Sequence, residues 1–320
     1  MKIKMFLISL LCFTLLSGCK KEHFQVATTV YPIQYLVERI AGTYSNLSVE
    51  TISENSMIQR AQIKDNYTSI LKNSDALFYI GGLEPYMNMY MEDIRENDID
   101  MVDLATKSAI YKFERYTSTV VNGQTTGVET PYYDGELFQT IETYDYDPLL
   151  WMDPVAMTSM ASDILEYLNA KYPQYRTIFD DNYNKLELDL ARLDADFQKI
   201  STANENISFV SMTPSFGNWQ KSYGIEVYPI VLSKYGALPT ADQLEVMKKR
   251  IKDDHVRYIA MEDNLPEDMV KLRKKLIDEL GLIPVNLKNL SSLSKEDEEA
   301  GKDYLSIMYE NLETLEAIAS

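Results

Sequence analysis

Cysteine and histidine are nearly missing from this chain, with two of each in 320 residues. Cys12 lies inside an apolar leader and Cys19 directly after it. Removing the leader would leave a body without disulfides or a Cys-based metal site. The histidines, His23 and His255, are too few for a three-histidine metal centre or for His-based acid–base chemistry. Long apolar runs are missing too. After Met5–Leu16 none is long enough to predict a membrane-spanning helix. There is no GxxxxGK[ST] phosphate loop and no nucleophile-plus-base arrangement, so an enzyme is the weakest reading. Finally, residues 116–170 hold no Lys or Arg.

Lys2 and Lys4 precede the apolar run, which is short for a bilayer and has the form of a secretory signal peptide. It ends in Leu15-Leu16-Ser17-Gly18-Cys19. Small residues before a cysteine match the bacterial lipobox, in which Cys19 would be lipidated and become the mature N-terminus. Residues 1–18 are therefore expected to be a signal peptide and 19–23 a lipid tether on the outer face of the cell membrane. Loss of the two leader lysines takes the net charge from −18 to −20. Such an acidic surface argues against nucleic acid and against broad contact with anionic lipid, leaving the lipid as the membrane contact.

Short β-rich apolar runs alternate with helical patterns: Phe24–Val30, Ser48–Ile52, Ala76–Ile80 and Met101–Leu104, then Ile207–Met212, Val227–Leu232, Val256–Met261 and Ile283–Leu287. Alternating β and α with buried strands predicts an α/β fold of two lobes. Each lobe would be a four-stranded, mostly parallel sheet covered by helices, over 24–172 and 202–320. Between them, Phe179, Tyr183, Leu186, Leu190, Leu193, Phe197 and Ile200 follow steps of four and three. That stripe predicts one long helix over 173–201, a strut of roughly 40 Å. A coiled-coil dimer would give the same stripe. Residues 106–147, acidic and Tyr-rich without clear periodicity, read as a long loop.

Several stretches, taken in order, resemble the solute-binding lipoproteins of zinc and manganese ABC importers. They are Val26–Pro32 with Glu38–Gly42, Asp75–Glu84, the turn Asp147-Pro148-Leu149-Leu150-Trp151-Met152-Asp153-Pro154, Phe216-Gly217 with Tyr223-Gly224, Pro239–Leu244, and Ala300–Tyr304 into Asn311-Leu312. The resemblance implies two lobes on a rigid linking helix, a monomer, and a permease and ATPase as partners. It also implies a metal held between the lobes by histidines and a carboxylate. The matching positions here are Met57, Leu149, Thr213 and Ser291. Zinc takes about four N, S or O ligands. Leucine offers none, a thioether suits softer ions, and hydroxyls are weak ligands. Zinc or manganese is thus expected from the family but not supported by the residues.

Strand ends face the crevice in α/β sheets, so Glu84, Glu262 and Asp263 are further cleft candidates, with Asp147 and Asp153 beside the signature turn. Carboxylates alone would suit Ca²⁺, Mg²⁺ or Mn²⁺. Trp151, Trp219, Tyr144 and Tyr146 could border an organic-ligand pocket or be packing residues. Asp153 before Pro154 also reads as a helix N-cap, and Glu262 as a partner of backbone groups. The expected function is an extracytoplasmic solute-binding protein of a metal-type ABC importer with a non-standard or degenerate site. The alternative is a ligand-free paralogue acting as a surface interaction or regulatory module.

Overall fold

The computed structural model describes residues 24–319 apart from 44, 55, 56, 122, 123, 132, 134 and 203–206. Cys19 and His23 lie outside the described residues. Strands β1 (Phe24–Thr28), β2 (Leu47–Thr51), β3 (Ala76–Tyr79) and β4 (Asp100–Asp103) form one sheet. Its order is β2-β1-β3-β4 and each pairing is parallel. The helix Tyr31–Ala41 covers it through Ile33, Leu36, Val37 and Ile40, the face expected from their spacing. It ends at Gly42, whose φ of 63° suits a residue without a Cβ. A Cβ there would also meet Asn182 of the strut at 2.6 Å.

The second lobe repeats the plan with β7 (Ser208–Ser211), β8 (Glu226–Pro229), β9 (Tyr258–Ala260) and β10 (Ile283–Val285). Its order, β8-β7-β9-β10, is that of the first sheet, and all three pairings are parallel. All eight strand signals thus became strands, five of them trimmed within the expected run and three beginning one residue before it.

The strut is an α-helix over Arg176–Thr202, entered by a 3-10 turn at Pro173–Tyr175. Phe179, Leu186, Leu190, Leu193, Phe197 and Ile200 are buried within the chain, and Tyr183 packs at their edge. One apolar cluster joins that stripe to Ile33 and Leu36 of the first lobe and to Phe209, Trp219 and Leu287 of the second. The stripe is therefore used inside the molecule, which accounts for it without a coiled coil. Each such side chain stabilises the fold by roughly 1.5–3 kcal/mol. Arg39 fastens the first helix to the strut by a 2.7 Å ion pair with Asp189.

The acidic segment departs from the expected loop. Strands β5 (Glu114–Val121) and β6 (Gln124–Pro131) pair antiparallel, with Val121 opposite Gln124. The sequence held the signal: Thr- and Val-rich runs flank Asn122-Gly123, a hairpin dipeptide. Scattered Gly and acidic residues hid the alternation. The segment also crosses to the second lobe. Phe113, Phe138 and Tyr144 share an apolar cluster with Val210, Ile230 and Met247, and Lys234 N donates to Glu142 O at 2.8 Å.

Candidate functional site: the seam between the lobes

The signature turn becomes a 3-10 turn, Leu150–Met152, followed by the helix Pro154–Lys171. Asp153 caps that helix, accepting from Val155 N at 2.8 Å and Ala156 N at 3.4 Å, with Pro154 in the first turn. Several other polar groups of the turn reach the second lobe. Asn218 Nδ2 donates to Leu149 O at 2.7 Å, Tyr304 OH to Trp151 O at 2.6 Å, and Trp219 Nε1 to Met152 O at 2.8 Å. Trp151 Nε1 donates to Asn289 O at 2.8 Å, and Ser222 Oγ to Asp153 Oδ2 at 2.6 Å. The turn is a clamp, with the carbonyls of Leu149, Trp151 and Met152 taken by the other lobe. Both tryptophans are core residues here, each with its N–H satisfied.

The four positions that match the family's ligands are all inaccessible: Met57 is 1 % exposed, Leu149 0 %, Thr213 0 % and Ser291 6 %. Their surroundings differ. Met57 belongs to the apolar cluster of Tyr144 and Ile230, whereas Leu149 belongs to that of the strut. The turn after Met57 is itself held across the seam by Arg60, which donates to Gly236 O at 3.1 Å and pairs with Asp268 at 2.9 Å. Thr213 Oγ1 donates to Glu262 Oε1. Ser291 N donates to Asn289 Oδ1 at 3.1 Å, while its hydroxyl has no partner among the described residues.

Glu262 is the hub of this polar patch. Its carboxylate accepts from Met212 N at 2.8 Å, Thr213 N at 3.4 Å, Ser215 Oγ at 3.4 Å and Asn289 Nδ2 at 3.1 Å. Burial pushes its pKa up, and those donors pull it back. Arg273 Nη1 reaches the Glu262 carbonyl at 2.8 Å. Asp263 does not join it. It is exposed and lies 3.6 Å from Lys288 Nζ. Glu84 belongs to the first lobe and accepts from Ile80 N at 2.6 Å. Burial raises its pKa to about 7. Among the described residues no three of His, Cys, Asp or Glu come together in a group able to hold a metal ion. His255 is exposed, with a φ of 56°.

Sequence reading missed Asn218, Asn289 and Tyr304. Tyr304 stood in a stretch of the family resemblance, but no local pattern gave any of the three a role, because those roles exist only once the lobes meet.

Residues 26–318 match the profile of a family described as ZnuA, the periplasmic component A of a zinc-uptake complex. The chain belongs to that family. The description is of an uptake component, not of an enzyme. A zinc-binding lipoprotein AdcA of Streptococcus pneumoniae is 24 % identical over 319 residues, covering 98 % of this chain. This chain spans only 60 % of that relative's length. The high-affinity zinc uptake system protein ZnuA of Bacillus subtilis is 27 % identical over 169 residues, 53 % of this chain and 52 % of that protein. Among solved structures, Zn(II)-bound AdcA of S. pneumoniae superposes with a TM-score of 0.69 at 20 % identity, over 93 % of this chain and 58 % of that one. A laminin-binding protein, Lmb, of Streptococcus agalactiae gives 0.72 at 17 % identity, over 93 % of this chain and 100 % of that one. At such identities these structures speak for the fold.

Among the described residues no helix is long and apolar enough to cross a membrane.

Proposed function

We propose that this chain is the extracytoplasmic solute-binding component of a metal-family ABC importer, with a ligand site that does not hold zinc. It works as a monomer tethered to the outer face of the cell membrane through lipidated Cys19, and hands its solute to a permease driven by an ATPase. Family membership supports the transport role. One observation carries the departure from zinc: the signature turn presents the fully buried Leu149 where the family resemblance places a histidine. Its companions Met57, Thr213 and Ser291 supply a thioether and two hydroxyls. Zinc favours four N, S or O donors near about 2.0–2.3 Å, with imidazole, thiolate or carboxylate leading. The donor set present does not fit it.

Elemental mass spectrometry on the tag-free chain tests this, paired with melting curves in Zn²⁺, Mn²⁺, Ca²⁺ and Cu(I). A bound ligand raises stability by RT ln(1 + [L]/Kd), about 4 kcal/mol at a thousandfold excess over Kd. The expected result is no stoichiometric zinc and no zinc-dependent rise in Tm. One zinc per chain with a large rise would sink the reading. A second arm restores the family's donors together: Met57→His, Leu149→His, Thr213→His and Ser291→Asp. Zinc-dependent stabilisation of that variant, absent from the parent, would support the assignment of these positions.

A further inference from the structure

A cavity of about 380 Å³ opens where the first lobe's loops meet the acidic segment. None of Met57, Leu149, Thr213 and Ser291 lines it. Its volume is in the range of small-molecule sites, roughly 300–1,000 Å³. Leu83, Ile110, Tyr144 and Tyr146 give it apolar and aromatic surface. It also lies at the carboxyl ends of β3 and β4, where open α/β sheets present ligands.

Among the described residues, two carboxylates lining the cavity have no counter-ion. Asp103, the last residue of β4, accepts from Ala105 N at 2.9 Å through Oδ1. Its Oδ2 has neither a hydrogen bond nor an ion pair among the described residues. Partial burial raises its pKa, the signature of a charge short of compensation. Gly81 keeps that oxygen free, since a Cβ there would sit 2.7 Å from Oδ2. Asp145 is fixed by its carbonyl, which accepts from Phe113 N at 3.0 Å. Its side chain has no ion pair or hydrogen bond among the described residues. The one cation among the described lining residues, Lys234 of the second lobe, is balanced by Glu142 at 3.2 Å.

We infer that this cavity binds a small organic cation, an amine, guanidinium or quaternary ammonium on an apolar body, with Asp103 and Asp145 as counter-ions and Tyr144 and Tyr146 against the body. Free carboxylates disfavour an anion. The apolar lining, with no third His, Cys, Asp or Glu beside the two carboxylates among the described residues, disfavours a bare metal ion. Aromatic faces add cation–π attraction. Because Lys234 and the acidic segment line the same space, an occupant would bridge the lobes. Taking this cation as the transported solute rests on the receptor reading above; the pocket itself does not.

Calorimetric titration of the tag-free chain with benzylammonium, agmatine and choline tests the inference, with benzyl alcohol and benzoate as neutral and anionic shape controls. At least one cation is expected to bind with unit stoichiometry, about tenfold or more tighter than either control. Asp103→Asn keeps the acceptor for Ala105 N and should weaken binding about tenfold. Gly82→Phe should block it, because a side chain there enters open space at the cavity's edge. Asp278→Asn, an exposed partner of Lys274, should leave it unchanged. No binding by any of the three cations overturns the inference. So does equal binding of benzyl alcohol, or unaltered affinity in both Asp103→Asn and Gly82→Phe. Stoichiometric zinc alongside Asp103-dependent cation binding would fail the zinc-free reading and leave the pocket standing.

Discussion

The two lobes are built alike and wired differently. Each sheet places its first strand between the second and third, with the fourth outside. Each buries one glutamate in the loop after the third strand: Glu84 after β3 and Glu262 after β9. Glu262 follows its strand by two residues and reaches sideways to the end of β7, tying two strands and the loop of Asn289. Glu84 comes five residues after its strand and folds back onto Ile80 N, within its own turn. Among its other neighbours, Tyr86 OH at 3.4 Å also lies 3.3 Å from Thr29 O. One hydroxyl proton cannot serve both acceptors. The repeat therefore conserves layers of apolar packing within the molecule, while polar groups answer to their local donors.

The largest expected effect tests that contrast directly. Glu262→Ala would leave the buried Met212 N–H without its acceptor and the Asn289 amide with only Asn264 Oδ1, costing roughly 3 kcal/mol or more in a urea melt. Glu84→Ala removes one firm acceptor and should cost about 1–2 kcal/mol. Equal losses would mean that the two carboxylates do the same structural work.

A smaller effect separates them by pH. Burial raises the Glu84 pKa from its ordinary 4.5 to about 7. Between those values the folded chain holds a proton that the unfolded chain has released. The unfolded state thus binds fewer protons, and stability falls as pH rises through the window. The upper bound is about 3 kcal/mol, from 1.36 kcal/mol per pKa unit. Glu84→Gln keeps an acceptor for Ile80 N and cannot ionise, so its stability should be flatter between pH 4.5 and 7. An unchanged slope would place the buried charge elsewhere.

What the sequence disclosed follows the range of the forces involved. Strands, the strut's stripe and the Asp153 cap depend on residues a few positions apart, and all three could be read directly. The hairpin was legible in Asn122-Gly123 but was masked by polar composition. The clamp was not legible, since Asn218, Asn289 and Tyr304 find the signature turn only across the seam. Composition did bear on the site: two histidines cannot supply three imidazoles. It could not say that Leu149 would sit in a sealed core, or that Asp103 would line an open cavity 46 residues away in sequence.

The smallest effect concerns the two loops themselves. Gly81 has a φ of 48°, and a Cβ there would meet Asp103 Oδ2 at 2.7 Å. Gly82 has no atom within 4 Å of its Cβ position. The second lobe's loop, residues 261–264, has no glycine and no positive φ. The first lobe thus gives up rigidity to bring a backbone turn against a carboxylate, and the second does not. Gly81→Ala should cost about 1–2 kcal/mol from the left-handed backbone alone. It should also displace Asp103 and weaken binding of the organic-cation probe. Gly82→Ala should stay within about 0.5 kcal/mol and keep that binding. Melts and titrations of the pair would separate backbone strain from the position of the carboxylate. If Gly81→Ala lost stability but bound the cation as before, Gly81 would serve the turn only. If both losses appeared together, the turn would be what holds the free Asp103 oxygen at the cavity.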